Sequence, residues 1–268
     1  MKAIIIAAGR GKRLGAHTAE VPKTLVPVGA RTMLGWQMRA FAAAGVDELV
    51  LIRGYRGDVL EAGARAEAPP GVRLTFVDNP EWETNNILLS LACARAALDG
   101  PTLITYSDII FTPSVVRALM AGRGPIDLVI DADFRDIYEG RTEHPLDEGE
   151  VSDLDLAGRV RRVGKRALPP AEAHGEFIGL ARLDAAGAAI VGAALDDLAA
   201  RYRGRDHEPF QRAARYRNAY LTDLWQELID GGTPIHPVTI HGQWREIDTG
   251  QDLARAIALV ESTSEEWS

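Results

Sequence analysis

Lys2-Ala3-Ile4-Ile5-Ile6-Ala7-Ala8-Gly9-Arg10-Gly11-Lys12-Arg13-Leu14-Gly15 is a short apolar run that breaks directly into a glycine-rich, cationic turn. A continuous run without polar alternation fits a strand buried on both faces of a parallel sheet. Glycines let backbone N–H groups approach an anion closely, and a turn leaving a strand gathers such donors. Two common phosphate motifs fail on spacing. The dinucleotide fingerprint needs a third glycine sooner than Gly15, and the P-loop needs Ser or Thr where Arg13 stands and glycine where Ala7 stands. A nicotinamide dinucleotide would gain little from Lys12 and Arg13, which disfavours an NAD-dependent oxidoreductase. A triphosphate, with several charges in a row, would gain much.

A second cation follows in Val21-Pro22-Lys23-Thr24-Leu25. Proline fixes its own φ and favours an extended residue before it, so Lys23 stands on a stiff segment. A lone Pro-Lys would read as a solvated loop. Coupled to the glycine turn, it reads as a second phosphate ligand.

Outward from this loop, strands and helices alternate. Strands are predicted over 48–52, 72–77, 102–106 and 127–131, and helices over 33–44, 58–66, 86–98 and 113–120. Thr32 is the expected N-cap of the first helix, with Gly45 past its end. Such alternation predicts a doubly wound sheet whose ligands sit outside the carboxyl ends of the strands. After about residue 140 the pattern changes to a hairpin over 150–156 and 159–164, then a strand over 176–183 and a helix over 185–202. A helix over 219–229, a strand over 235–240 and a helix over 249–260 close the chain, the last with a capping box from Thr249 to Asp252. The acidic tail 261–268 is expected to fray.

Composition bounds the answer. With 268 residues, 46% hydrophobic and 25% charged, the chain can build one α/β core without disulfide help. Its net charge of −8 argues against a nucleic-acid surface. Lysine stands only at positions 2, 12, 23 and 165, so two of four lysines fall in the loop segments just described. The apolar N-terminal run is too short for a signal sequence, and no segment has the apolar length of a membrane helix; a soluble, cytoplasmic protein is expected. The one cysteine, Cys93, reads as a buried reduced thiol. Histidines at 17, 144, 174, 207, 236 and 241 show no metal-ligand spacing.

Ala7-Ala8-Gly9-x-Gly11-x-Arg13-Leu14 followed by Pro22-Lys23-x-Leu25 resembles the signature of the sugar-nucleotidyltransferase superfamily. The resemblance implies a Rossmann-like nucleotidyltransferase domain with a mixed sheet and a small β-rich acceptor lobe. That domain would span 1–260, its nucleotide-binding half about 1–130 and its acceptor-binding half about 131–260. It also implies that Ala8, Gly9 and Gly11 contact the nucleotide, with Ala7, Lys12 and Ser107 beside them, while Arg13 and Lys23 hold its phosphates and stabilise the transition state. Nucleotidyl transfer needs Mg²⁺, a cation that prefers carboxylate, phosphate and water oxygens. The family places one metal aspartate after a mid-sheet strand and a second near the end of the catalytic domain; Asp108 and Asp248 match those positions. Each alone would read equally well as a helix cap. A catalytically dead regulatory subunit, also known in this superfamily, tends to lose these groups, and all are present.

Further segments narrow the branch. Asn79-Pro80-x-Trp82-x-Thr84-Asn85-Asn86-Ile87, Gly175-Glu176-Phe177-Ile178-Gly179-Leu180 and Ala219-Tyr220-Leu221-Thr222-Asp223-Leu224 resemble the phosphocholine (licC-type) and phosphonate cytidylyltransferases. The resemblance implies CTP as donor, with Asn85 and Asn86 beside base or acceptor. It also implies release of pyrophosphate, a small phosphorylated or phosphonylated acceptor, and a monomer or homodimer. Asn86 reads nearly as well as a helix N-cap. Candidates for the acceptor pocket are Trp82, Phe134, Tyr138, Glu176 and Trp244, with Arg135, Arg141 and Lys165 as anion ligands. Sugar-nucleotide relatives place an acceptor-phosphate lysine where Lys165 stands. The alternative reading is a sugar-1-phosphate nucleotidyltransferase using UTP, dTTP or GTP.

Overall fold

A computed structural model describes residues 1–267. In chain order the elements are β1 (Lys2–Ala7), β2 (Pro27–Val28), β3 (Arg31–Thr32), α1 (Met33–Ala43), β4 (Glu48–Arg53), α2 (Gly57–Glu67) and β5 (Arg73–Asp78). Next come α3 (Ile87–Cys93), β6 (Thr102–Tyr106), β7 (Ile109–Phe111), α4 (Pro113–Met120), β8 (Ile126–Asp131), α5 (Phe134–Tyr138), β9 (Glu150–Leu154) and β10 (Val160–Lys165). The chain closes with β11 (Gly175–Leu183), α6 (Ala185–Arg201), α7 (Leu221–Asp230), β12 (His236–Ile240), β13 (Trp244–Glu246) and α8 (Gly250–Ser262).

β5, β4, β1 and β6 are neighbours in that order and all parallel. Strand order reverses at β1, so the carboxyl ends of β1 and β6 flank the crevice where open α/β sheets bind ligands. β11 then runs antiparallel to β6 and β8, and β12 runs parallel to β8, which makes the nine-stranded sheet mixed. One residue bends this sheet toward the crevice. Gly179, at φ 85, sits where the β11 ladder shifts register, and a Cβ there would lie 2.3 Å from the Tyr106 ring. Beyond the bend β11 leaves β6 and pairs with β9, carrying the β9–β10 hairpin over the carboxyl ends of the strands.

Two apolar layers cover the faces. α1, α2 and α4 pack on the side of Ala3, Ile5 and Ala7, while α3, α6 and α7 pack on the side of Ile4, Ile6 and Ala8. This is the period of two expected in a strand, and burying each isoleucine contributes about 1.5–3 kcal/mol. A third cluster joins α8 to Leu14, Val26 and Trp36. Thr32 caps α1, accepting from the Gly35 N–H at 3.0 Å.

Two expectations are corrected here. Cys93 is exposed, because α3 ends at this residue. The C-terminal tail docks: Trp267 is buried with its ring 5.9 Å from that of Trp36, and α8 itself runs to Ser262. Between the glycine turn and α1, β2 and β3 form a small ribbon against α8. Among the described residues no helix is long and apolar enough to cross a membrane.

Candidate active site

The turn after β1 and the segment carrying Lys23 lie against each other through Gly11. This glycine sits at φ 73, and a Cβ there would fall 2.6 Å from the Cβ of Lys23. No other residue type leaves room for the lysine stem. Lys23 opens a short 3₁₀ turn after the extended Pro22, and is itself buried.

The two aspartates, so distant in sequence, meet through a ladder of three residue pairs. β13 pairs antiparallel with β7, matching Trp244 to Phe111, Arg245 to Ile110 and Glu246 to Ile109. One step beyond the ladder, the Ile247 N–H donates to the Asp108 carbonyl at 2.8 Å, which brings Asp108 and Asp248 to one place. Lys23 Nζ donates to Asp108 Oδ2 at 2.9 Å and to Asp248 Oδ1. Arg13 donates to Asp248 Oδ2 at 2.6 Å and to Glu148 at 3.3 Å. Glycine turn, stiff lysine and both acids therefore form one cluster.

The electrostatics follow from burial and pairing. Burial disfavours the Lys23 ammonium, but the carboxylates of Asp108 and Asp248 more than reverse this and hold its pKa above the ordinary lysine value. Burial also penalises the Asp248 carboxylate; Lys23 and Arg13 overcome that and keep it ionised well below the usual range. Asp108 goes the other way. Its burial outweighs the single lysine, and the neighbouring Asp248 charge adds to the upward shift. One acid is firmly charged and its neighbour resists charge, an imbalance that a further cation would relieve.

Asp108 and Asp248 supply the oxygens a divalent cation needs, and they fit it. Asp108 Oδ1 is buried without a hydrogen-bond partner, and ammonium and guanidinium groups already converge on the same acids. A second donor group adjoins it. His144, Glu246 and Asp248 each place one ligand atom within 4.8 Å of the others. His144 carries no spacing signal, since it reaches this cluster only through the fold.

Two cavities meet at these residues. The first, about 340 Å³, is lined by Ala8, Gly9, Gly11, Lys12, Arg13, Lys23, Asn85, Asn86, Ser107 and Asp108, with Trp82 on its wall. The second, about 220 Å³, is lined by Lys165, Glu150, Glu176, Glu246, Tyr220 and Trp244, with Tyr106 and Phe177. Arg13, Asn86, Asp108 and Asp248 belong to both.

Several candidates lie elsewhere. Ala7 is in the core, because alternation along β1 turns Ala8, not Ala7, toward the first cavity. Trp82 lines the first cavity, not the second. Phe134 is core, and Arg135 donates to the carbonyls of Pro170 and Ala173. Arg141 is buried behind the site, bonded to Asp252 at 2.6 Å and to Glu246 at 2.9 Å. Tyr138 is also buried, its hydroxyl donating to Glu176 Oε1 at 2.7 Å. Both shape the second cavity from outside. Asn86 occupies the N-cap position of α3, but its side chain donates to the Asn218 carbonyl instead of capping. Asn85 is fixed by a reciprocal pair of hydrogen bonds with Asn79 at 2.9 and 3.1 Å.

Residues 3–168 match the MobA-like NTP transferase domain. The chain belongs to the MobA-like NTP transferase family. It is a nucleotidyltransferase, and the cavity at the end of β1 is the candidate nucleotide site of that family's domain. Among curated relatives, the chain is similar to a CTP:phosphoglutamine cytidylyltransferase of Campylobacter jejuni, at 26% identity over 259 residues, 94% of this chain and 98% of that one. A CMP-5′-(3-aminopropyl)phosphonate synthase of Streptomyces rubellomurinus is 35% identical over 121 residues, which is 45% of this chain and 19% of the longer protein. The fold is that of the CTP:phosphocholine cytidylyltransferase LicC from Streptococcus pneumoniae, with a TM-score of 0.71 and 20% identity across 97% of this chain and 98% of that one. These matches agree with the mixed α/β architecture described above.

Two acids of the second cavity make a prediction about stability. Burial pushes Glu150 up to about 7, although Lys165, Tyr106 and Thr222 favour its charged form. Burial pushes Glu176 up to about 8, with Glu246 adding to the shift. In the unfolded chain both titrate near 4.5. From about pH 4.5 to about 8 these two groups therefore hold more protons in the folded chain than in the unfolded one, and their contribution to stability falls as pH rises. Thermal melts across this range should show a declining Tm, and Glu176→Gln should flatten the decline. An unchanged slope in that variant would place its origin elsewhere.

Proposed function

We propose that the chain transfers CMP from CTP to a small acceptor bearing phosphate or phosphonate, releasing pyrophosphate. The observation that carries this reading is the junction of the two cavities at Arg13, Asp108 and Asp248. An acceptor oxygen entering from the second cavity would meet the α-phosphate of a nucleotide held in the first. Its lone pair forms the new P–O bond, the bond from the α-phosphorus to the bridging oxygen breaks, and pyrophosphate leaves. The acceptor oxyanion is already charged, so no general base is needed and positioning with charge neutralisation supplies the rate. The relatives that act on CTP and on phosphoryl or phosphonate acceptors support the choice of substrates.

In this reading Ala8, Gly9, Gly11, Lys12 and Ser107 hold the triphosphate and sugar. Asn85 faces the base, its amide oriented by Asn79. Arg13 and Lys23 hold the phosphates and neutralise the charge that grows as pyrophosphate departs. Asp108 and Asp248 hold Mg²⁺, which when bound supplies charge neutralisation and orientation of the phosphates. On the acceptor side Lys165 takes the attacking phosphoryl group, with Asn86 at the junction and Trp244 as an apolar wall. Glu176 Oε1 is engaged by Tyr138 while Oε2 is buried and unpartnered, so it is available to hydrogen-bond the acceptor's far end.

The test is a screen of CTP, UTP, dTTP and GTP with Mg²⁺ and a panel of phosphonates, phosphocholine and sugar phosphates, reading pyrophosphate. CTP should exceed the other nucleotides by at least about tenfold in kcat/KM. A clear preference for UTP, dTTP or GTP with a sugar 1-phosphate would replace this reading by the sugar-nucleotide one.

A further inference from the structure

The acceptor cavity continues past Lys165. Lys165, Tyr220 and Glu148 also line an outer cavity of about 310 Å³ on the other side, walled by Asp147, Arg166, Arg212, Thr222 and Asp223. The three cavities thus form a row, with the phosphate cluster at one end and the outer cavity at the other.

Charge pairing differs sharply between the two sides of the β9–β10 hairpin. Arg159 pairs with Asp155 at 2.8 Å, Arg162 with Asp153 at 2.9 Å, and Arg161 with Asp153 as well. Lys165, Arg166 and Arg212, which line the outer cavity, make no direct ion pair among the described residues, although Lys165 lies near enough to Glu150 to favour its charged form. Lys165 Nζ instead sits 4.7 Å over the Tyr220 ring, and only the backbone N–H of Arg212 is engaged, by Asp223. Most acids of the same cavity are already committed. Glu148 lies 3.3 Å from both Arg13 and His144, and Asp223 accepts from the N–H groups of Tyr220 and Arg212 at 2.8 and 3.1 Å. Arg166 is also held at φ 55, a left-handed conformation unfavourable for any side chain but glycine. A chain with net charge −8 and abundant aspartate leaves three cations together at one cavity wall.

We propose that this outer cavity binds a second anionic group of the acceptor, a carboxylate, remote from the phosphoryl or phosphonyl oxygen that attacks. Guanidinium forks match a planar carboxylate in geometry as well as charge. A single carboxylate suits the paired guanidinium groups of Arg166 and Arg212, whereas a second phosphate dianion would set more negative charge beside Asp147, Glu148 and Asp223, which line the same cavity. The inference rests on the reading of the second cavity as the acceptor site, and it narrows the acceptor class to phosphoryl or phosphonyl compounds carrying a carboxylate.

O-phosphoserine and phosphoethanolamine differ only by that carboxylate, so they are the probes. Each is titrated calorimetrically into the full chain without nucleotide. The wild type should bind O-phosphoserine at least about tenfold more tightly. The double variant Arg166→Ala/Arg212→Ala should lose that difference while its affinity for phosphoethanolamine and its Tm stay unchanged. Equal binding of the two probes, binding of neither, or a preference that survives in the double variant overturns the proposal. Failure of the underlying reading shows separately, as pyrophosphate release that prefers another nucleotide to CTP.

Discussion

Replacing Lys23 by alanine is expected to lower the rate of pyrophosphate release about a thousandfold, with nucleotide affinity kept within about tenfold. The asymmetry follows from what Lys23 touches. Its ammonium donates to Asp108 and Asp248 at the junction of the two cavities, whereas Ala8, Gly9, Lys12 and Ser107, which line the first cavity, would in the proposed reading remain to hold the nucleotide. In the proposed reaction a group at that junction would act on charge that grows as the bond to pyrophosphate breaks, so its loss should fall mainly on kcat. Gly11 was given up to this lysine's stem, so alanine leaves a void there without strain. Without the ammonium, two acids face each other, and the variant should melt lower than wild type in chelator. Added Mg²⁺ should recover more Tm in the variant than in wild type, because it replaces the missing charge. Single-turnover measurement at saturating CTP separates rate from binding. A variant within about tenfold of the wild-type rate would remove Lys23 from the chemistry.

The parts of this site legible in the sequence are those carried by short, contiguous constraints. An unbroken apolar run marked β1, the cationic glycine turn marked the wall of the first cavity, and Pro22 placed Lys23 on a stiff segment. The βα alternation gave most elements to within a residue or two, because each buries one face with a regular period. Asp108 and Asp248 could be paired only through resemblance. What joins them is the β7–β13 ladder, whose three-residue strands are too short to show any period. Ala7 failed for a subtler reason: the motif contains both alanines, but strand parity lets only one of them face the crevice.

The acceptor side was harder to read, and its errors share a cause. Tyr138 and Arg141 lie in the right region of sequence but on a short helix and loop that pack behind the cavity rather than into it. Trp82 stands among the candidate acceptor aromatics, yet the turn before α3 sets it beside the first cavity. Beside Trp244, the aromatic residues that line the second cavity are Tyr106 and Phe177, made neighbours by the bend at Gly179, and Tyr220, carried in ahead of α7. His144 reaches Asp248 across more than a hundred residues of chain. None of these has a local signal, since each depends on how distant elements cross.

Arg141 shows that a residue misread as a ligand can matter as much as a ligand. Its guanidinium is almost wholly buried, donating to both oxygens of Asp252, at 2.6 and 3.0 Å, and to Glu246 at 2.9 Å. Asp252 in turn accepts from the N–H groups of Asp248 and Thr249 at 3.1 and 2.9 Å, closing the capping box of α8. Arg141→Ala therefore strands a buried carboxylate and should cost about 3–5 kcal/mol in chemical denaturation at pH 7. Although burial raises the Asp252 carboxyl, the bonds from Arg141 bring it below the ordinary range, so the interaction contributes above that range and is lost as pH falls through it. The deficit of the variant should shrink toward acid pH, where the stranded acid can take up a proton. Arg141→Lys should not rescue, because a point charge cannot reproduce the two-pronged contact. Arg141→Met combined with Asp252→Asn should recover part of the loss, since it removes both members of the pair. If instead Arg141→Ala loses less than about 1 kcal/mol while selectively weakening acceptor binding, the residue is a ligand after all.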